Sequence, residues 1–358
     1  MPKVDVTPIA AKFDAEIRDY VGKQPTAPLL VGFLANSDPA ALMYAKMTRR
    51  ACERNGVRFE LREVDKFALE DAVIAANSDA GVHGILVYYP IFGGALDDYM
   101  RDVISFEKDV EGLNHRYRYA MYHNIRYLDD ASNQKCVLPC TPLAIVKILE
   151  ETGAYDLSKP VGQQLSGKTA IVYNRSEVVG RPLGAMLAND GAKVYSVDVT
   201  GMLVYSKGRV AGTIKVEDTS VSTAEALASS SIVVSGVPSK SFVIAPSGIR
   251  PDAICVNFSQ HSNFGEGIEE RVQKYVPVIG KVTISMLERN LLRLHANFSK
   301  SPKNFSAPPS KHTPRGGASR RWSRDGALEG GMPVGFAVAA GAVAVVVAAA
   351  ALSMARRR

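Results

Sequence analysis

The sequence predicts an α/β protein of two domains, and three observations carry that prediction. Apolar, strand-like runs alternate with stretches of helical period over residues 4–297. Turn residues close these runs, as at Asn36-Ser37-Asp38-Pro39, and the alternation of strand and helix implies a largely parallel sheet in the N-terminal half. Residues 169–198 read as a strand, a tight polar turn, a helix and a second strand ending in a carboxylate. At 358 residues, 46% of them hydrophobic and 22% charged, the chain has a globular composition and room for two domains plus a tail.

The first helix is expected within residues 4–24, where Ile9, Phe13, Ile17 and Val21 recur every four residues. Residues 28–34 form a buried-strand run ended by Asn36-Ser37-Asp38-Pro39, and Pro39 suits the first turn of a helix reaching Asn55. Residues 58–64 alternate like a strand. A helix over 69–76 and a strand over 84–89 follow. Cys140 stands just before the next helix, which is expected to run to about Thr152, with Thr141 as N-cap and Pro142 in its first turn. After the 169–198 unit come strands at 231–236 and 253–258. A last helix over 283–297 places Ile284, Leu287, Leu291 and Leu294 at helical spacing. No internal repeat is apparent. The expected divisions are a first domain at 1–148 and a second at 149–298, then a disordered linker at 299–331 and an apolar segment at 332–355.

Within 169–198, Thr169-Ala170-Ile171-Val172-Tyr173 leads into Asn174-Arg175-Ser176-Glu177-Val178-Val179-Gly180-Arg181-Pro182, and the second strand ends at Asp198. This is the layout of a dinucleotide-binding βαβ unit of Rossmann type. A helix N-terminus there receives the pyrophosphate and an acid bonds the ribose hydroxyls. The acid favours NAD, because a 2′-phosphate would meet like charge.

The formal charge of +7 is modest, and much of the excess sits at Lys311, Arg315, Arg320, Arg321, Arg324 and the three terminal arginines. No basic stripe interleaves with aromatics, so nucleic acid is not an expected partner. Cys52, Cys136, Cys140 and Cys255 lack a pairing rhythm and an accompanying histidine cluster. Reduced thiols are expected, with no metal site. The N-terminus has neither an apolar signal core nor an Arg-rich transit pattern, which predicts a cytoplasmic protein. Residues 299–331 are rich in Ser, Pro, Gly and Arg. Residues 332–355 are long enough to cross a bilayer, at roughly 20 residues. Their Ala, Gly and Val content inserts weakly, so a tail anchor and a low-complexity extension both remain open.

Five motifs in order carry a resemblance over residues 4–297. They are Asp38-Pro39-Ala40 followed by Tyr44; Lys108-Asp109-Val110-Glu111-Gly112; Leu138-Pro139-Cys140-Thr141-Pro142; Asn174-Arg175-Ser176 through Gly180-Arg181-Pro182; and Gly280-Lys281-Val282-Thr283. Together they resemble the methylenetetrahydrofolate dehydrogenase/cyclohydrolase family, and within it the fungal NAD-dependent, monofunctional branch. The resemblance implies 5,10-methylenetetrahydrofolate as substrate, oxidised to the 5,10-methenyl cation in one-carbon metabolism serving purine biosynthesis, by a homodimer. It makes Cys140, Tyr44 and Glu111 the candidate catalytic residues, and Tyr44, Tyr88, Glu111 and Pro139 the substrate-binding ones. Tyr44 would stack on a folate ring, and Glu111 would bond the pterin's amino-pyrimidine edge, where relatives usually carry Asp. Hydride transfer needs no nucleophile, so Cys140 is expected as a wall of the site.

The resemblance likewise puts Arg175 and Ser176 at the pyrophosphate or ribose, with Gly180 packing helix on strand and Asp198 with the adjoining Val199 at the ribose. Gly236-Val237-Pro238 would lie at a strand's carboxyl end, and Gly280-Lys281-Val282-Thr283 would close over the nicotinamide ribose. As a simple helix-entry turn, that last segment would instead use Thr283 as N-cap.

Two departures matter. Bifunctional relatives carry Tyr-x-x-x-Lys on this helix, and the lysine serves the cyclohydrolase step. Here Thr48 holds that position. Lys46, about 200° round the helix from Tyr44 at 100° per residue, cannot replace it. Tyr88 stands where bifunctional relatives have Gln. Both changes predict a dehydrogenase without cyclohydrolase activity.

Overall fold

The structure is a computed structural model that describes residues 2–299 apart from 130, 132 and 211. The expected linker beyond residue 299 and the candidate anchor at 332–355 lie outside the described residues. Among the described residues, no helix is long and apolar enough to cross a membrane.

The chain opens with α1 (Thr7–Gly22), which buries Ile9, Phe13, Ile17 and Val21, the stripe its sequence spacing predicts. Then follow β1 (Leu29–Leu34), α2 (Pro39–Asn55), β2 (Arg58–Glu63), α3 (Leu69–Ser78) and β3 (Gly84–Val87). Asp38 caps α2 by accepting from the Ala41 N–H at 3.3 Å, and Pro39 fills the first turn. These strands form a parallel sheet in the order β2-β1-β3. Both faces are covered, so β1 and β3 read as continuous apolar runs. Leu30 and Leu86 enter one core; Val31, Phe33 and Ile85 enter another.

Next come α4 (Ala95–Val103), α5 (His115–Tyr122), a small hairpin of β4 (Tyr127–Asp129) and β5 (Gln134–Lys135), and α6 (Cys140–Glu151). The N-cap of α6 is Pro139, so Thr141 is an interior residue of the first turn and not the cap expected from sequence. Pro139 is held extended, and the Cys140 N–H bonds the Glu111 carbonyl at 3.3 Å. The helix therefore starts two residues earlier than a cap at Thr141 would set it.

The second sheet has seven strands in the order β12-β11-β10-β6-β7-β8-β9. Its members in chain order are β6 (Thr169–Tyr173), α7 (Gly180–Asn189), β7 (Lys193–Asp198), β8 (Gly201–Lys207), β9 (Ile214–Asp218), α8 (Thr223–Ser229), β10 (Ile232–Ser235), β11 (Ile254–Asn257), α9 (Ile268–Arg271) and β12 (Lys274–Val276). Five strands are parallel, while β8 and β9 run antiparallel beyond β7. The sequence reading assigned nothing to these two strands. A tight turn pairs Asp198 with Gly201, and Gly201 has φ +122°. The expected acid-ended strand therefore continues as a hairpin.

The last helix, α10 (Gly280–Phe298), returns to the first domain as expected. It begins at Gly280, so Thr283 is already helical and bonds the Ile279 carbonyl at 3.4 Å; it is not the N-cap. One core joins α1, α6, α10 and both sheets through residues such as Ile17, Leu86, Ile145, Val172 and Leu287. Residues of both sheets belong to one compact unit.

Candidate active site

In the second sheet the chain leaves β6 toward β7 on one side and returns to β10 on the other. That is a topological switch point, where open α/β sheets bind ligands outside the strands' carboxyl ends. The two ends are tied there: Asn174 Nδ2 donates to the Gly236 carbonyl at 3.0 Å. Asn174 Oδ1 accepts from the Ser176 N–H and hydroxyl, and Ser176 Oγ accepts from the Val179 N–H at 3.2 Å. The predicted turn is thus a self-bonded loop leading into the N-terminus of α7. Position 180 must be glycine, because a Cβ there would stand 2.0 Å from the Asn174 carbonyl oxygen.

Gly236 is buried under the Phe258 ring, and the Val237 N–H is held by Asn263 Oδ1 at 2.8 Å, while Pro238 is exposed. Asp198 and Val199 stand exposed at the tip of the β7–β8 turn, with the Asp198 carboxylate accepting from the Val199 N–H at 2.8 Å. Arg175 turns toward this hairpin. Its guanidinium bonds the Ser196 carbonyl at 2.8 Å, the Gly201 carbonyl at 2.5 Å and Thr200 Oγ1 at 3.2 Å. Gly280, Lys281, Val282 and Thr283 form the first turn of α10. Val282 and Thr283 are buried, and Lys281 donates to Thr7 Oγ1 at 2.7 Å.

The substrate-side residues converge at the carboxyl end of the first sheet. Tyr44 from α2 meets Tyr88, just past β3, edge to face, with centroids 5.8 Å apart and planes at 85°. Burial raises the Tyr44 phenol well above its usual value, helped by the nearby acidic groups of Cys140 and Glu111. Tyr88 is raised mainly by burial, with the Thr48 hydroxyl opposing that effect. Thr48 is fully buried and donates to the Tyr44 carbonyl at 2.9 Å. The two departures from the bifunctional pattern are therefore neighbours.

Glu111 is half-buried, and burial beside Asp109 pushes its carboxyl up to about 8, with Arg101 pulling the other way. Asp109 shapes the loop: it accepts from the N–H groups of Glu111 and Gly112 at 3.0 Å and of Asn114 at 2.7 Å. Gly112 needs its left-handed φ of +69°, and a Cβ there would lie 2.6 Å from the Leu138 carbonyl carbon. Pro139 and Cys140 pack against this loop. Burial, then the charges of Glu111 and Asp109, drive the Cys140 thiol well above its usual value. It is a protonated wall and not an activated nucleophile.

Three asparagines outside the expected site residues organise it. Asn290 on α10 donates to the Val110 carbonyl at 2.9 Å and the Leu138 carbonyl at 2.8 Å, clamping both substrate-side loops. Its signal in the sequence is an amide on the buried, otherwise leucine-rich face of a helix. Asn36 donates to the Tyr88 carbonyl at 2.7 Å, and Asn174 ties the turn after β6 to Gly236.

Fold and site define a two-domain α/β protein with a dinucleotide site at a switch point and a second, aromatic and acidic site on the other sheet. The tetrahydrofolate dehydrogenase/cyclohydrolase catalytic-domain model matches residues 4–111, and the NAD(P)-binding-domain model of the same family matches residues 139–299. Methylenetetrahydrofolate dehydrogenase [NAD(+)] of Dictyostelium discoideum is 49% identical over 296 residues, covering 82% of this chain and 94% of the relative. The Saccharomyces cerevisiae protein of that name is 48% identical over 305 residues, covering 82% and 95%. The solved structure of the NAD-dependent 5,10-methylenetetrahydrofolate dehydrogenase from S. cerevisiae superposes with a TM-score of 0.79 at 46% identity, covering 82% of this chain and 97% of that one. The chain belongs to the tetrahydrofolate dehydrogenase/cyclohydrolase family.

Proposed function

We propose that this protein oxidises 5,10-methylenetetrahydrofolate to 5,10-methenyltetrahydrofolate with NAD, and that it does not hydrolyse the product. The observation that carries the reading is the convergence of Tyr44, Tyr88, Glu111 and Cys140 at one sheet end, with Thr48 buried where hydrolysis needs a titratable amine. A residue domain of 1–148 would hold the folate and one of 149–298 the dinucleotide.

The residues present fit NAD. The Asn174–Gly180 turn offers a helix N-terminus to a pyrophosphate, and the exposed Asp198 carboxylate suits a ribose with free hydroxyls and repels a 2′-phosphate. NAD, when bound, supplies the nicotinamide that accepts hydride. The folate's own nitrogen lone pairs stabilise the developing cation, so the protein supplies no strong base. Its contribution is alignment and exclusion of water. Tyr44 and Tyr88 give an aromatic wall, the protonated Cys140 a small apolar one, and Glu111 an acceptor for the amino-pyrimidine edge. Thr48 is neutral at any working pH and cannot assist hydrolysis of the methenyl group.

The same reading makes the protein a cytoplasmic homodimer acting in one-carbon metabolism for purine biosynthesis. Attachment to a membrane through residues 332–355 is a separate proposal, and complete release on carbonate extraction rejects it. Activity is tested by NADH formation from methylenetetrahydrofolate; no absorbance change with saturating NAD and folate rejects the assignment.

A further inference from the structure

Arg175 follows β6, yet its side chain reaches across the end of β7 to the start of β8. It bonds the Ser196 carbonyl at 2.8 Å, the Gly201 carbonyl at 2.5 Å and Thr200 Oγ1 at 3.2 Å. Its Nε is buried without a hydrogen-bond partner among the described residues. Val199 in the β7–β8 turn is fully exposed, and among the described residues the Asp198 carboxylate is bonded only to its own neighbour's N–H. Among the described residues, no other side chain from outside the turn hydrogen-bonds to residues 198–201. The guanidinium reaches these acceptors from two separate nitrogens, Nη1 and Nη2, in a fixed plane, whereas an ammonium presents all its donors from one atom.

We infer that Arg175 is a positioning residue: it fixes the β7–β8 turn so that the Asp198 carboxylate is held at the ribose, and it contributes to NAD selection only through Asp198. This rests on the reading of Asp198 as the ribose acceptor. The guanidinium's hydrogen bonds go to two backbone carbonyls and Thr200 Oγ1, and among the described residues it forms no ion pair with the Asp198 carboxylate, which stays free to accept from a ribose. Arg175 thus supports NAD selection even though a free arginine at this end of a strand would favour NADP.

The test is a double-mutant cycle on the KM for NAD in the full-length enzyme, with Arg175→Met, Asp198→Ser and the pair. Arg175→Met is expected to raise the KM for NAD about ten-fold with kcat nearly unchanged. The double variant is expected to be no worse than Asp198→Ser alone. Arg175→Lys is expected not to restore the wild-type KM. Multiplicative effects in the double variant, or full rescue by lysine, would show a direct contact with the cofactor and overturn the proposal.

Amide hydrogen exchange at residues 199–201 supplies an independent readout. Faster exchange in Arg175→Met but not in Asp198→Ser supports a strut, and unchanged exchange rejects it. An unaltered KM for NAD in Asp198→Ser, by contrast, sinks the ribose reading, while exchange still decides whether Arg175 holds the turn.

Discussion

Glu111 carries the sharpest consequence at the scale of single residues. Its carboxyl is pushed up to about 8 by burial and by Asp109, so it is mostly protonated at neutral pH. The amino-pyrimidine edge of a pterin offers N–H donors, which a carboxylate accepts and a neutral acid matches poorly. The kcat/KM for methylenetetrahydrofolate is therefore expected to rise with pH until about 8 and then level off. Glu111→Gln should remove that limb and lower kcat/KM by roughly 10–100-fold, the worth of a charge-assisted hydrogen bond. A Gln variant that keeps the same limb assigns the titration elsewhere. Cys140 gives the complementary expectation. Its thiol stays protonated, and hydride transfer needs no nucleophile. Cys140→Ala should thus retain activity within about ten-fold, whereas loss of roughly a thousand-fold would restore a covalent or acid–base role.

Among the elements, the turn into α7 and the clamp from α10 are the testable units. A Cβ on residue 180 would lie 2.0 Å from the Asn174 carbonyl oxygen, and backbone cannot step aside as a flexible side chain can. Gly180→Ala should cost about 3 kcal/mol and weaken NAD binding more than folate binding. A melting temperature within 2 °C of wild type, on the order of one kcal/mol for a fold of this size, would contradict this. Asn290→Leu keeps the volume but leaves the Val110 and Leu138 carbonyls without their donor. It should raise the KM for folate while leaving that for NAD nearly unchanged; equal effects on both would mean general destabilisation.

The same elements show what the sequence disclosed. α1 and α10 were legible because their apolar residues recur every three or four positions, α2 because Asn36-Ser37-Asp38-Pro39 marks its start, and β6–α7–β7 because strand, turn and helix periods change at fixed places. β8 and β9 were not, because an acid-ended strand reads alike whether a helix or a two-residue turn follows. The caps at Thr141 and Thr283 were misplaced for a related reason. Both helices start before the hydroxyl residue, set by Pro139 and Ile279 rather than by a side chain. The site residues were legible through motif order, but the direction of the Arg175 side chain was not, since its acceptors are carbonyls that no residue type announces.

Across the whole molecule, α1, α2 and α10 meet around a buried polar seam that joins the two site-bearing halves. Asn55 Nδ2 donates to Glu288 Oε2 at 2.8 Å, Ser285 Oγ to Asp14 Oδ1 at 2.8 Å, and Arg54 pairs with Asp14 at 3.0 Å. Glu288 is fully buried, and burial raises its carboxyl from 4.5 to about 7. The native state therefore binds more protons than the unfolded state between those values. The resulting stabilisation is complete below about pH 4.5 and is lost as pH rises through about 7. Glu288→Gln should flatten the pH dependence of the melting temperature between pH 5 and 8, a window in which the wild type loses on the order of 3 kcal/mol. An unchanged slope would place the titration at another group.

The central claim joins both halves of the molecule: hydride leaves the folate for NAD, and the chemistry stops there. It is tested most directly by giving one purified preparation methylenetetrahydrofolate with NAD, and separately methenyltetrahydrofolate alone. The account predicts NADH formation in the first case and, in the second, loss of the methenyl absorbance no faster than in buffer. Methenyl hydrolysis above the buffer rate, from an enzyme with Thr48 in place of a lysine, would contradict it.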